Sequence, residues 1–130
     1  KTLFKNQENI NFVKDALYGA TNEPRGTSYR SRLPKDFTYA GKTGTSQVRR
    51  FTEIQRELEI KNIDLPYEQR DHALFVAFAP YKEPRYSISV VIEHGGTGSG
   101  SAAPIAKSVI KKLLERHPLR ESQRIKGENI

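Results

Sequence analysis

Apolar residues recur at helical spacing in two places along the chain. Over residues 8–20, Ile10, Val13, Ala16, Leu17 and Ala20 fall three or four apart, which predicts an amphipathic helix closing near Gly19 or Asn22 and lying on a larger body. Ile105, Val109, Ile110, Leu113 and Leu114 form a second stripe and predict a helix over residues 103–117, with Ser101 as its N-cap and Pro104 in its first turn. Between them the period changes. The segments "HALFVAFAPY" and "RYSISVVIEH", joined by "KEPR", predict two strands of an antiparallel hairpin. In the first of these, Leu74, Val76 and Phe78 alternate with Ala73, Phe75 and Ala77. Both faces are therefore apolar, and the strand is expected at the centre of a sheet. A further strand is predicted over residues 37–48.

The intervening segments are polar. "NEPRGTSYRSRLPKD" reads as an irregular connection, "HGGTGSGSAAP" as a flexible turn from strand to helix, and residues 118–130 as a polar tail. Residues 49–71 are densely charged and read as an insertion between strands, with a short helix around residues 53–60. The order of helix, strand, insertion, hairpin and helix predicts an α+β fold in which helices pack on an antiparallel sheet. Three strands and one capping helix leave apolar strand surface uncovered, so residues 1–130 are expected to be part of a domain.

Composition narrows the function classes. With 130 residues the chain has the size of one domain. Cysteine, methionine and tryptophan are absent, which excludes disulfides and thiolate metal sites and agrees with an internal piece of a longer protein. The longest apolar runs are too short to cross a bilayer. The net charge of +7 is spread among acids and is not clustered with aromatics, which favours a solvated surface over nucleic-acid binding. His72, His94 and His117 share no metal-ligand spacing with carboxylates, so neither a metal nor a cofactor is expected. His72 and His94 are expected to cap or orient strand ends. Glu57 and Glu59 read as surface charge.

"AGKTGTSQV", residues 40–48, carries the best candidate chemistry. Strand alternation puts Thr43 and Thr45 on one face, where two hydroxyls suit a carboxylate. Lys42 adds positive charge, Gly44 permits close approach, and an exposed edge N–H just after Gly44 suits an oxyanion. "SVIK", residues 108–111, matches S-x-x-K, but Ser108 and Lys111 occupy the polar positions of the last helix and read as solvated surface. "GGTGSG" lacks the lysine and hydroxyl residue of a phosphate-binding loop.

Together, "PRGTSYR", "AGKTGTSQV", "DHALFVAFAPY" and "YSISVVIEHGGTGSGSAAPIA" occur in an order that resembles the C-terminal part of the transpeptidase domain of class B penicillin-binding proteins, most closely the elongation-type penicillin-binding protein 2 group. The resemblance implies a portion of the penicillin-binding and serine β-lactamase-like fold, and a D,D-transpeptidase that cross-links peptidoglycan by acyl transfer from a serine. Stem peptides ending in D-Ala-D-Ala and β-lactam antibiotics would be its ligands. A glycosyltransferase of the elongation machinery would be its partner, and the periplasmic face of the inner membrane its location, with an N-terminal anchor outside these residues. Lys42 would act beside the serine of an S-x-N motif, Thr43 and Thr45 would bind the terminal carboxylate, Gly44 would leave room, and the Thr45 backbone N–H would form half of the oxyanion hole.

Two departures qualify this reading. Nothing before Lys42 fits S-x-x-K, and no S-x-N occurs anywhere. The nucleophile is therefore expected outside this chain, Ser108 is not a replacement, and the isolated piece is expected to be inactive. Two other readings are a serine β-lactamase-like hydrolase and a non-catalytic basic module binding an anionic polymer. The uncovered sheet would also allow the isolated piece to self-associate.

Overall fold

The computed structural model describes residues 5–50, 52–58 and 60–117. The polar tail and Glu59 lie outside these. The fold is α+β: helix α1 (Gln7–Asn22), strand β1 (Ala40–Ser46), short helix α2 (Glu53–Glu57), strands β2 (His72–Ala79) and β3 (Tyr86–Ile92), and helix α3 (Ala103–Arg116). The strands form an antiparallel sheet in the order β1-β2-β3, so β2 is central as its two apolar faces require.

One face of the sheet is closed. Ala73, Phe75, Ala77 and Ala79 of β2 are buried with Ala103, Ala106, Ile110 and Leu114 of α3, and Tyr39 meets Phe75 edge-on at 6.4 Å. The side of α3 that packs is not quite the stripe expected from its largest residues. Ile110 and Leu114 face the sheet, but alanines at 103 and 106 supply the rest of the contact, while Ile105 and Val109 remain exposed. Small side chains let the first turns of the helix approach the sheet closely. The opposite face is open among the described residues, with Val76 at 51% and Val91 at 57% exposure.

Helix α1 starts where the Asn6 side chain accepts from the Glu8 N–H, and ends with the Glu23 N–H bonded to the Gly19 carbonyl. Its predicted stripe is covered only in part: Val13 and Ala16 are exposed, whereas Thr21 is fully buried. The helix is held chiefly by its C-terminal turn. Thr21 Oγ1 accepts from the Gly41 N–H at 3.0 Å and lies 3.3 Å from the Gly41 carbonyl, and Asn22 Nδ2 donates to the Tyr39 carbonyl at 2.8 Å.

Strand β1 is shorter than the predicted 37–48. Lys35–Phe37 forms a 3-10 turn, with Phe37 N–H bonded to the Pro34 carbonyl and Thr38 Oγ1 to the Lys35 carbonyl, and these local bonds compete with a strand ladder. At the other end the Val48 N–H leaves the sheet for the Asp71 carboxylate, which also accepts from Asn62 Nδ2.

The glycine-rich segment is a packed wedge, where a flexible turn was expected. Gly98–Ala102 forms one π-helical turn with Gly98 and Ala102 buried. A Cβ at Gly98 would lie 2.3 Å from the Leu74 carbonyl oxygen and 2.6 Å from that of Gly44, so only glycine lets this turn rest on the backbone of β1 and β2. Ser101 is consequently not the N-cap of α3, a position held by Ala102. Its hydroxyl donates to the Gly95 carbonyl, and Thr97 caps the π turn through the Gly100 N–H. Pro104 does fall in the first turn of α3.

Candidate functional site at the free edge of the sheet

Among the described residues strand β1 has one strand neighbour, β2, so beyond Gly41 its other edge carries no strand. The direction of its peptide groups follows from a single residue. Both the N–H and the carbonyl of Gly41 engage Thr21 on α1, so at this position the polar backbone points away from β2. Antiparallel pairing alternates, and the N–H and carbonyl of Thr43 and Thr45 therefore point to the free edge as well. The Thr43 carbonyl confirms this direction by accepting from Lys42 Nζ at 2.9 Å. The expected edge N–H beyond Gly44 is thus that of Thr45.

Register assigns the side chains. Gly41, Thr43 and Thr45 pair with Ala77, Phe75 and Ala73, and share their face; Lys42 and Gly44 pair with Val76 and Leu74, on the open face. Thr43 and Thr45 lie on one side, as alternation predicts. Thr45 and Lys42 are exposed, and Thr43 and Gly44 half-buried. Gly41 cannot carry a side chain, because its Cβ would lie 2.6 Å from the Phe75 ring.

One site residue has no signal in the hydrophobic pattern. Thr27, in the connection after α1, places Oγ1 3.2 Å from Thr43 Oγ1. A groove of about 390 Å³ runs beside it, its lining including Lys42, Thr27 and Arg25 together with Asp15 and Glu23. Only the quoted "PRGTSYR" contains Thr27, and its closeness to Thr43 depends on the path of a loop.

His72 and His94 lie at the Ser46 end of the sheet, where His72 pairs with Ser46, one position beyond Thr45. The His94 N–H donates to His72 Nδ1 at 2.9 Å, and His94 Nδ1 lies 3.0 Å from the Arg70 carbonyl, so the pair ties the ends of β2 and β3 as expected. His94 has φ 53°, in the left-handed region, at the turn leaving β3. No group of three or more metal-ligating side chains occurs among the described residues.

The S-x-x-K match forms no nucleophile. Ser108 and Lys111 are both exposed on α3; the Ser108 hydroxyl donates to the Pro104 carbonyl, and Lys111 pairs with Glu115 at 3.6 Å. The helix packs on the Phe75 face of the sheet, whereas Lys42 emerges on the other.

This edge can bind an anion in two ways. Two hydroxyls and an ammonium group suit a carboxylate, while an outward backbone N–H suits a developing oxyanion.

Comparison with known proteins places this arrangement in context. The family model "Penicillin binding protein transpeptidase domain" matches residues 4–111. Peptidoglycan D,D-transpeptidase MrdA of Salmonella typhimurium is 39% identical over 103 residues, which are 79% of this chain and 16% of that protein. Among solved structures, the complex between penicillin-binding protein PBP2 and MreC from Helicobacter pylori is similar at TM-score 0.70 and 31% identity, covering 86% of this chain and 18% of that one. Pseudomonas aeruginosa PBP2 in complex with WCK 5153 gives TM-score 0.66 and 30% identity, covering 93% and 22%. The chain thus spans about one-sixth of the length of the MrdA relative.

Proposed function

Because the chain belongs to the penicillin-binding protein transpeptidase family, we propose that it supplies the carboxylate- and oxyanion-binding wall of a peptidoglycan D,D-transpeptidase. The observation that carries this reading is the free edge of β1, where the Thr43 and Thr45 hydroxyls share a face and the peptide groups of both residues turn outward. The terminal carboxylate of a D-Ala-D-Ala stem peptide accepts hydrogen bonds from the two hydroxyls. Lys42 contributes positive charge, and Gly44 keeps the strand surface low enough for a peptide to lie along it.

A serine from a segment outside these residues attacks the carbonyl between the two alanines. The carbonyl π electrons move to oxygen, and the Thr45 N–H provides one of the donors that hold this oxyanion. The oxyanion then collapses, the C–N bond breaks, and D-alanine leaves with the proton given up by the serine on its nitrogen. The resulting acyl-serine is attacked by an amine of a second stem peptide, which restores the serine. A β-lactam places its carboxylate and its strained amide in the same positions, but its leaving nitrogen stays tethered, so the acyl-enzyme persists.

The isolated residues contain no group to perform the first attack and are inactive in this reading. The complete protein works at the periplasmic face of the inner membrane, held by an anchor elsewhere in its sequence. It acts with a glycosyltransferase of the elongation machinery and with a partner like the MreC bound to the Helicobacter pylori relative.

Fluorescent penicillin tests the proposal. It should label the complete protein, and Lys42→Ala should lower the labelling rate by about 100-fold, as expected for loss of one charge contact to the developing transition state. Undiminished labelling of Lys42→Ala would overturn the assignment.

A further inference from the structure

The contact between Thr27 and Thr43 connects a loop residue to a group that binds the carboxylate in the transpeptidase reading, on which this inference rests. We propose that Thr27 is a positioning residue for carboxylate recognition: its hydroxyl donates to Thr43 Oγ1 and thereby directs the Thr43 proton towards the ligand. A threonine hydroxyl has one proton and two acceptor lone pairs. An ionised carboxylate only accepts, so when Thr43 donates to it, the 3.2 Å contact with Thr27 is satisfied in one direction alone, from Thr27 to Thr43. The two bonds then polarise one another, and the relay is stronger than either bond in isolation.

The loop is held so that this contact persists. Ser28, the next residue, is buried and bonded to the Ala20 carbonyl through both its N–H and its hydroxyl, each at 3.0 Å. Its hydroxyl also lies 3.4 Å from Thr21 Oγ1, and Thr21 is fastened to both polar groups of Gly41. Gly26, on the other side, packs so closely on α1 that a Cβ would lie 2.4 Å from the Ala20 carbonyl oxygen. The circuit from Thr43 through Thr27 and Ser28 therefore closes over the Ala20 carbonyl, which Ser28 holds, and the adjoining Thr21, which is bonded to Gly41 of β1. Fixing the loop against the same strand that carries Thr43 leaves the two hydroxyls little freedom to separate.

The test uses the complete protein and compares the second-order rate of acylation by benzylpenicillin with that by its methyl ester, which lacks the carboxylate. Thr27 is exposed, so Thr27→Val replaces the hydroxyl without disturbing packing, and Thr27→Ser retains it. Loss of one net hydrogen bond corresponds to roughly a tenfold change. The expected result is about tenfold slower acylation of Thr27→Val by benzylpenicillin, an unchanged rate with the ester, and recovery in Thr27→Ser. Equal slowing with both compounds would show a general structural role and overturn the inference, as would no slowing with benzylpenicillin. Absence of acylation in the unsubstituted protein by either compound would instead overturn the transpeptidase reading, and this inference with it.

Discussion

Replacing Gly98 by alanine tests whether the glycine-rich turn is a wedge against the strand that carries the site. The added Cβ would lie 2.3 Å from the Leu74 carbonyl oxygen, 2.6 Å from the Gly44 carbonyl oxygen and 3.0 Å from the Gly44 nitrogen. Carbon and oxygen normally approach to no less than about 3.3 Å, so some part must move by roughly 1 Å. Strand β2 is paired on both sides and resists displacement. Either the π turn lifts or the edge strand β1 shifts. Lifting strains the Ser101 to Gly95 and Thr97 to Gly100 bonds, each worth about 1 kcal/mol net, and overpacking a fitted site costs about 1–3 kcal/mol. The sum predicts a loss of about 3–5 kcal/mol for Gly98→Ala. Urea unfolding of the complete transpeptidase domain measures it, with exposed Ser99→Ala as a control expected within about 0.5 kcal/mol of the parent. Because Gly44 adjoins Thr43 and Thr45, a shift of β1 would also slow penicillin acylation by as much as about 100-fold. Unchanged stability together with unchanged acylation would refute the wedge.

Three further outcomes follow from other contacts. Thr21→Val leaves the buried Gly41 N–H without its acceptor and should lower stability by about 1–3 kcal/mol, read from the unfolding midpoint. Burial pushes the Tyr39 phenol from its ordinary 10.0 up to about 12, so the folded state keeps its proton where the unfolded chain loses it. The associated stability is fully present below pH 10 and lost as pH rises towards 12, by up to about 2 kcal/mol, and unfolding of Tyr39→Phe between pH 9 and about 11.5 should lack this part of the slope. Ser108→Ala should leave fluorescent-penicillin labelling of the complete protein unchanged, since Ser108 is exposed on α3 and its hydroxyl is occupied with the Pro104 carbonyl.

Much of the fold was legible in local pattern. Period-two alternation identified β2 and β3, and two apolar faces placed β2 at the centre, because burial of both faces leaves no other position. The same alternation correctly put Thr43 and Thr45 on one face. Details that depend on tertiary contact were not legible. Ser101 looks like an N-cap by type, yet its hydroxyl reaches the Gly95 carbonyl because the chain first makes a π turn over bare strand backbone. Ile105 and Val109 looked like core by size, but they are exposed, and the part of α3 that meets the sheet closely carries alanine at 103 and 106. Thr27 carries no periodic signal, and only the closed circuit through Thr21 and Ser28 brings it to Thr43. Side-chain bonds to backbone across 20 residues leave no local trace in a sequence.

The central claim is that Lys42, Thr43 and Thr45 form one wall of a serine acyltransferase whose nucleophile lies elsewhere in the protein. Mass mapping of the complete protein after reaction with benzylpenicillin tests it most directly. The account predicts a single acylated serine on a peptide outside residues 1–130; an adduct on Ser108, or on any other serine within these residues, would contradict it.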